Sequence, residues 1–233
     1  MSGVEAVVFD LDGVIIDSEE SWEEVRRAYA AEHGRQFLPD SQERMMGMST
    51  GEWSRHLAVD VGIGLPPERV AADVLDRMAV RYRTALPLVP GAVDAVRRLA
   101  ARFPLALASS SARILIDQVL DSAGLTGAFR ATLSTEEVPR GKPFPDVYLE
   151  AANRLGLRPA ACAAVEDSSN GLRSAAAAGM VVVAVPHGVY PPAPDALVAA
   201  ALVVTSLDEL TVAAVENLQA QPSRGEDGDR APD

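Results

Sequence analysis

The sequence contains two pairs of closely spaced carboxylates that could bind a divalent cation. Asp10 and Asp12 directly follow a short apolar run. Glu166 and Asp167 directly follow a second one. Adjacent carboxylates repel each other and raise each other's pKa, so each pair requires a cation or a shared proton. Carboxylate oxygens suit Mg²⁺, and two such pairs at one place predict a magnesium site. Taken singly, either pair could instead be an acidic turn or a helix cap.

Two further positions carry groups that could act on an anion. Every basic residue of the chain except Lys142 is an arginine, which suggests that a compact point charge is needed at this position. A single lysine can also arise by chance. Ser109 ends another apolar run, and by itself it would be interpreted as a helix cap.

The elements that must position these residues are strands that alternate with helices. Short apolar runs predict strands at residues 4–9, 105–108, 162–165, 181–185 and 202–204. Helical patterns lie between them at residues 92–101, 114–123, 146–155 and 172–178. This alternation predicts an α/β fold, a doubly wound parallel sheet, in which the carboxyl ends of the strands share one edge.

The stretch from residue 18 to residue 86 interrupts this alternation. It has helical patterns at residues 22–32, 42–46, 51–61 and 67–84, and it contains no convincing strand. We call residues 18–86 the helical insert and residues 1–17 with 87–218 the core. The polar tail, residues 219–233, is expected to be disordered.

The four segments around Asp10, Ser109, Lys142 and Glu166, in this order, resemble the four motifs of the haloacid dehalogenase superfamily. The resemblance covers most of the chain and implies a Rossmann-like core with an inserted helical cap domain. It implies that Asp10 is the nucleophile, that Asp12 is the general acid and base, and that Ser109 and Lys142 hold the transferring phosphoryl group. The resemblance also implies a magnesium site with these ligands: Asp10, Asp12 through its main-chain carbonyl, Glu166 and Asp167.

Two branches of this superfamily fit the sequence poorly. Dehalogenases lack the second aspartate of the first motif, which is present here as Asp12. The phosphonate-cleaving branch needs a lysine in the insert, and this chain has only Lys142. The sequence is more similar to sugar and hexitol phosphatases, which implies hydrolysis of small phosphate monoesters, sugar or polyol phosphates, through an aspartyl-phosphate.

The alternative is a phosphotransferase similar to β-phosphoglucomutase. Where that enzyme has a histidine and an arginine in its insert, this chain has Trp22 and Thr50. A neutral threonine cannot form an ion pair with a second phosphate, although Arg113 or Arg44 could provide the missing positive charge. A phospho-ligand sensor without turnover is a third possibility. By resemblance, the candidate substrate-binding residues are Trp22, Thr50, Ser110, Ser111 and Arg113.

Charge and hydropathy limit the partners of the protein. A formal net charge of -12 opposes binding to nucleic acid or anionic lipid. No apolar run reaches the about 18–20 residues of a membrane span, and the first residues have neither a basic region nor a cleavage site. We therefore expect a cytoplasmic protein, favoured as a monomer, that binds a small phosphate ester.

Overall fold

The computed structural model describes residues 3–38, 41–45, 48–186 and 191–219. A six-stranded parallel sheet runs through the core in the order β3-β2-β1-β4-β5-β6. The strands are β1 (Ala6–Phe9), β2 (Leu105–Ser109), β3 (Ala131–Ser134), β4 (Cys162–Glu166), β5 (Val181–Ala184) and β6 (Ala200–Val203). This order confirms the predicted doubly wound fold, because the chain winds outward from β1 in both directions.

Ten α-helices are present in the described part of the chain. They are α1 (Glu19–Glu32), α2 (Ser41–Met45), α3 (Thr50–Arg55), α4 (Pro67–Thr84), α5 (Ala92–Ala100), α6 (Arg113–Ser122), α7 (Asp146–Leu155), α8 (Ser169–Ala177), α9 (Pro194–Leu197) and α10 (Val212–Glu216). None of the described helices combines the length and the apolar character that a membrane span requires.

Helices cover both faces of the sheet, and alternate residues of the four inner strands, β1, β2, β4 and β5, therefore pack into two different cores. In β1, Val7 and Phe9 pack in the same apolar cluster as α5 and α6. Ala6 and Val8 pack in the cluster that contains α7 and α8. Strands buried on both faces are continuous apolar runs, which is why the sequence predicts β1, β2, β4 and β5 within one or two residues.

The sequence analysis missed one strand, β3. Its sequence is Ala-Thr-Leu-Ser, which is too short and too polar to form an apolar run, and Thr132 is only half-buried. Pairing with β2, from Ala106–Ala131 to Ser109–Ser134, makes this segment a strand. The last strand, β6, begins two residues earlier than predicted, and alternate residues are exposed because it lies at the edge of the sheet.

The helical insert contains α1 to α4 and a π-helical turn, His56–Asp60, and its described residues include no strand. Helix α4 packs against α1 and α3 and also against α6 of the core. The chain enters and leaves the insert side by side, since Asp17 N donates to Pro87 O at 2.7 Å. The division at residues 18 and 86 stays a prediction, and the end of the helix predicted at residues 42–46 lies partly outside the described residues.

The described chain ends at Gln219, which forms an antiparallel bridge with Gly3. The rest of the tail that was predicted to be disordered, residues 220–233, lies outside the described residues.

Candidate active site at the carboxyl edge of the sheet

The two carboxylate pairs meet where the strand order reverses, between β1 and β4. Phe9 at the end of β1 pairs with Val165 of β4, so Asp10 and Glu166 follow at the same edge. One oxygen of each of three residues, Asp10, Glu166 and Asp167, lies within 4.8 Å of the others. In open parallel sheets, ligands bind in the crevice at this reversal of strand order.

Lys142 lies in the loop before α7, and its side chain reaches back to this carboxylate cluster. Its Nζ donates to Glu166 Oε1 at 2.6 Å and to the Ala108 carbonyl at 3.0 Å, and it lies 2.9 Å from Asp10 Oδ1. The side chain is only 4% exposed. Burial alone lowers the pKa of Lys142, but attraction to Asp10 and Glu166 outweighs it and leaves the pKa above its usual value.

The carboxylate of Glu166 is fully buried, and both of its oxygens already accept hydrogen bonds. Oε1 accepts from Lys142 Nζ and from the Tyr148 hydroxyl at 2.7 Å. Oε2 accepts from the Ser168 hydroxyl at 3.2 Å and from two main-chain N–H groups. Glu166 therefore fixes Lys142 in place, and it has less accepting capacity left for a cation than its neighbours.

Asp10 and Asp167 are the two carboxylates of the cluster that lack sufficient partners. Burial, and then repulsion by Glu166, raise the pKa of Asp10 to about 8. The same two causes raise the pKa of Asp167 well above its usual range. Asp167 Oδ1 is buried without a hydrogen-bond partner, and the Lys142 contact of Asp10 Oδ1 is too poorly aligned for a hydrogen bond. Buried unsatisfied oxygens of this kind fit a divalent cation, which would stabilise both ionised forms.

The side chain of Asp12 is oriented by hydroxyl groups from the insert and the core. Ser18 Oγ donates to Asp12 Oδ1 at 2.6 Å, and Ser111 Oγ donates to Asp12 Oδ2 at 2.7 Å. Ser109 Oγ lies 3.4 Å from Oδ2 and accepts a hydrogen bond from Ser111 N. Asp12 therefore has a fixed rotamer, which suits a group that must give and take a proton at one position.

A cavity of about 780 Å³ lies above this cluster, between the core and the helical insert. Asp10, Asp12, Lys142 and Asp167 line its core side. Four of the candidate substrate-binding residues also line the cavity, and these are Trp22, Thr50, Ser110 and Ser111. Ser109 is fully buried beneath this surface and does not line the cavity.

The fifth candidate, Arg113, is not among the residues that line the cavity. Its guanidinium donates to Glu137 and to both the hydroxyl and the carbonyl of Thr132. Arg44 is exposed and does not line the cavity either. Thr50 donates to Glu136 Oε1 at 2.9 Å, so this threonine joins the insert to the core.

Several residues to which the sequence analysis gave no role contact the site. Tyr148 lies in the segment that follows Lys142, and its hydroxyl donates a hydrogen bond to Glu166, a contact that the sequence does not reveal. Glu19, Arg26 and Gln42 line the insert side of the cavity. Arg26 could have been recognised from its position four residues after Trp22, because residues four apart lie on the same face of a helix.

Comparison with known proteins finds relatives along most of the chain. Residues 4–179 match the family described as haloacid dehalogenase-like hydrolase. Hexitol phosphatase B from Escherichia coli (strain K12) is 34% identical over 217 residues, which cover 88% of this chain and 94% of that protein.

Two solved structures illustrate the similarity in fold. The structure of a HAD family hydrolase from Deinococcus radiodurans R1, with bound phosphate and sodium, is 31% identical with a TM-score of 0.67. The match covers 93% of this chain and 97% of that one. A β-phosphoglucomutase from Clostridium difficile is 23% identical with a TM-score of 0.75, over 91% of this chain and 95% of that one. This second likeness shows the fold alone.

Proposed function

Because the chain belongs to the haloacid dehalogenase-like hydrolase family, we propose that it is a magnesium-dependent phosphatase acting through an aspartyl-phosphate on Asp10. The proposed substrates are small phosphate monoesters, above all sugar or polyol phosphates. A relative that is 34% identical over most of the chain is a hexitol phosphatase, which supports this substrate class.

The observation that carries the proposal is the buried cluster of Asp10, Lys142, Glu166 and Asp167 beneath the cavity. It combines a carboxylate nucleophile with a fixed cation and with unsatisfied oxygens that fit a metal ion. Phosphoryl transfer depends mainly on such positioning and charge neutralisation.

The chemistry requires two displacements at phosphorus. In the first, an Asp10 oxygen bonds to phosphorus while the bond to the leaving alkoxide breaks, and Asp12 gives that alkoxide a proton. In the second, Asp12 takes a proton from water, whose oxygen bonds to phosphorus as the bond to Asp10 breaks. Ser18 and Ser111 hold the Asp12 carboxylate for both proton transfers.

The fixed donors of the site act on the charge of the phosphoryl group. Lys142 lies 2.9 Å from the Asp10 oxygen, so its ammonium is beside the group that Asp10 would receive. Asp10, Asp167 and the main-chain carbonyl of Asp12 would hold the magnesium ion. Glu166 would support this site by holding Lys142 next to Asp10. When bound, the ion would neutralise negative charge on the reacting oxygens.

Charge also bears on the binding partner of the enzyme. The acidic chain and the acidic cavity favour a small-molecule partner over nucleic acid or lipid. The cytoplasmic location and the monomeric state stay predictions.

Hydrolysis of p-nitrophenyl phosphate tests the proposed function. We expect Mg²⁺-dependent release of p-nitrophenol that EDTA abolishes, and we expect Asp10→Asn to abolish it as well, because an amide is a poor nucleophile and a weaker ligand. Thermal melting of the variant would verify that the fold is intact. Substantial turnover by pure, folded Asp10→Asn protein would show that Asp10 is not the nucleophile.

A further inference from the structure

The insert side of the cavity contains an arginine that packs against two tryptophans. The guanidinium of Arg26 lies 4.4 Å from the ring centroid of Trp22 and 5.2 Å from that of Trp53. The two indole rings are 5.6 Å apart. Arg26 is only 4% exposed, yet it lines the cavity together with both tryptophans. The two indoles therefore make cation–π contacts with the guanidinium and help to shield it from bulk water.

The guanidinium of Arg26 is poorly satisfied by the protein. Nη1 donates to Gln42 Oε1 at 3.1 Å, and Nε is buried without a partner. Arg26 forms no ion pair with any carboxylate in the part of the chain that the structure describes. Burial lowers the pKa of Arg26 to about 10, so the group stays cationic at neutral pH. A buried cation with a single protein acceptor is costly, and a ligand that enters the cavity could supply further acceptors.

A carboxylate is linked to this cation through one glutamine side chain. Gln42 Nε2 donates to Glu19 Oε2 at 2.8 Å, so Gln42 links Arg26 to Glu19. Burial raises the pKa of Glu19, which shows that this carboxylate is also incompletely solvated. The link places a donor, Arg26, and an acceptor, Glu19, on the insert side of the cavity. A substrate hydroxyl group can accept a hydrogen bond from Arg26 or donate one to Glu19.

The negative charge on the insert side of the cavity opposes the binding of a second anionic group of the substrate. Asp17, Glu20 and Glu23 line the cavity beside Glu19, and Arg26 is the only cation on the insert side among the described residues. A second phosphate bound here would face four carboxylates, whereas neutral hydroxyl groups would not be repelled.

We propose that Arg26, held by Trp22 and Trp53 and linked through Gln42 to Glu19, is a specificity-determining residue that binds the hydroxyl groups of the leaving group. The proposal rests on the phosphatase function proposed above, and it means that the site selects monophosphates with a neutral, hydroxyl-rich leaving group over bisphosphates. Arg26 thus acts on substrate choice: it lines the insert side of the cavity, whereas Asp10 lines the core side.

Substitution of Arg26 tests this role through two substrates that share the phosphoryl group. For Arg26→Gln, we expect kcat/KM for sorbitol 6-phosphate to fall at least tenfold, about 1.4 kcal/mol, and that for p-nitrophenyl phosphate to change less than threefold. Arg69→Gln is the matched control, since Arg69 is exposed on α4 of the insert and pairs with Asp73, and neither residue lines the cavity. We expect this control to change neither value more than twofold.

A second variant keeps the test independent of folding problems at Arg26. Glu19→Gln preserves the shape of the side chain and its link to Gln42 but removes the charge. We expect it to raise kcat/KM for glucose 1,6-bisphosphate at least threefold relative to sorbitol 6-phosphate. An unchanged ratio of the two kcat/KM values would contradict the proposed charge selection.

The outcomes separate this inference from the proposed function. Equal losses on both substrates in Arg26→Gln, or no loss on either, would overturn the inference, as would a selective loss on glucose 1,6-bisphosphate. Turnover of p-nitrophenyl phosphate without turnover of any hexitol or hexose phosphate would also overturn it. Absence of Asp10-dependent p-nitrophenyl phosphate hydrolysis in the unmodified protein would instead reject the proposed function.

Discussion

The ammonium group of Lys142 lies within 3.0 Å of three oxygen atoms, from Asp10, Ala108 and Glu166. This buried pocket of oxygens has room for one nitrogen atom with three donors. A guanidinium is planar and carries its donors on three nitrogens, so it cannot replace the ammonium at the same point. At the scale of single residues, the geometry thus explains a lysine in a chain whose other basic residues are all arginines.

Lys142→Arg should therefore lower turnover despite keeping the charge. We expect kcat for p-nitrophenyl phosphate to fall at least about tenfold, because the wider group must displace Asp10 or Glu166. Arg140→Lys is a suitable control, since Arg140 is exposed two residues away and pairs with Asp146. Near-normal turnover in Lys142→Arg would mean that any cation serves at this position.

Asp167→Asn should weaken the metal site without removing the nucleophile. The substitution removes one negative ligand, so we expect the Mg²⁺ concentration at half-maximal activity to rise at least about tenfold, with partial rescue by excess metal. Asp195→Asn changes an exposed carboxylate that pairs with Arg173 and serves as the control. An unchanged Mg²⁺ dependence in Asp167→Asn would assign Asp167 to a structural role.

At the scale of elements, helix α8 begins directly against the carboxylate that fixes Lys142. Ser168 caps the helix, its Oγ accepting from Gly171 N at 3.0 Å. A Cβ atom on Gly171 would lie 1.8 Å from Glu166 Oε1, so only glycine allows this approach. The packing of α8 on the sheet and the position of Glu166 are therefore coupled.

Gly171→Ala should damage the site by displacing the Glu166 carboxylate. Because Glu166 is fully buried and hydrogen-bonded, it cannot move at low cost, and we expect a loss of about 1–3 kcal/mol in unfolding free energy. Turnover should fall at the same time, since Glu166 orients Lys142. Urea unfolding and p-nitrophenyl phosphate assays would measure the two effects.

Gly51→Ala supplies the matched comparison for that experiment. A Cβ at Gly51 in α3 meets nothing within 4 Å, so alanine should be neutral or stabilising there by about 0.5–1 kcal/mol. Equal stability changes in the two variants would contradict the collision at Gly171.

At the scale of the whole molecule, the cavity lies between the helical insert and the core. Thr50 at the start of α3 donates to Glu136, which follows β3, and Glu136 also accepts from Arg113 N. Helix α4 packs against α6 on the same side of the molecule. In the proposed mechanism a hydrolase and a mutase differ in what reaches Asp10 after the first phosphoryl transfer, and these contacts between insert and core would limit that access.

Thr50→Arg should not convert the enzyme into a mutase. The new guanidinium would lie next to Glu136 and pair with it, so we expect lower phosphatase turnover and little gain on glucose 1,6-bisphosphate. Adding Glu136→Gln should release the arginine and raise the preference for the bisphosphate at least about threefold.

The unmodified protein should not interconvert β-glucose 1-phosphate and glucose 6-phosphate in a coupled dehydrogenase assay. Sustained glucose 6-phosphate formation without phosphate release would establish the mutase instead.

Much of the core could be predicted from the sequence because the information is local. A strand buried on both faces must be a continuous apolar run, and a carboxylate at its end must lie at the edge of the sheet. Asp10, Glu166 and their strands follow from this reasoning, as does the turn at Gly13, whose φ is 77°. The family could also be recognised from these motifs.

Tertiary structure alone decided the contacts between residues far apart in the chain. Strand β3 forms through its pairing with β2, Tyr148 reaches Glu166, and Thr50 meets Glu136, 86 residues away. Arg113 was expected near the substrate, but Glu137 and Thr132 bind its guanidinium elsewhere. Arg26 lines the cavity because α1 and α3 bring it against both Trp22 and Trp53. Sequence reports the chemistry of each group, but the direction of a long side chain depends on which distant partners surround it when the chain folds.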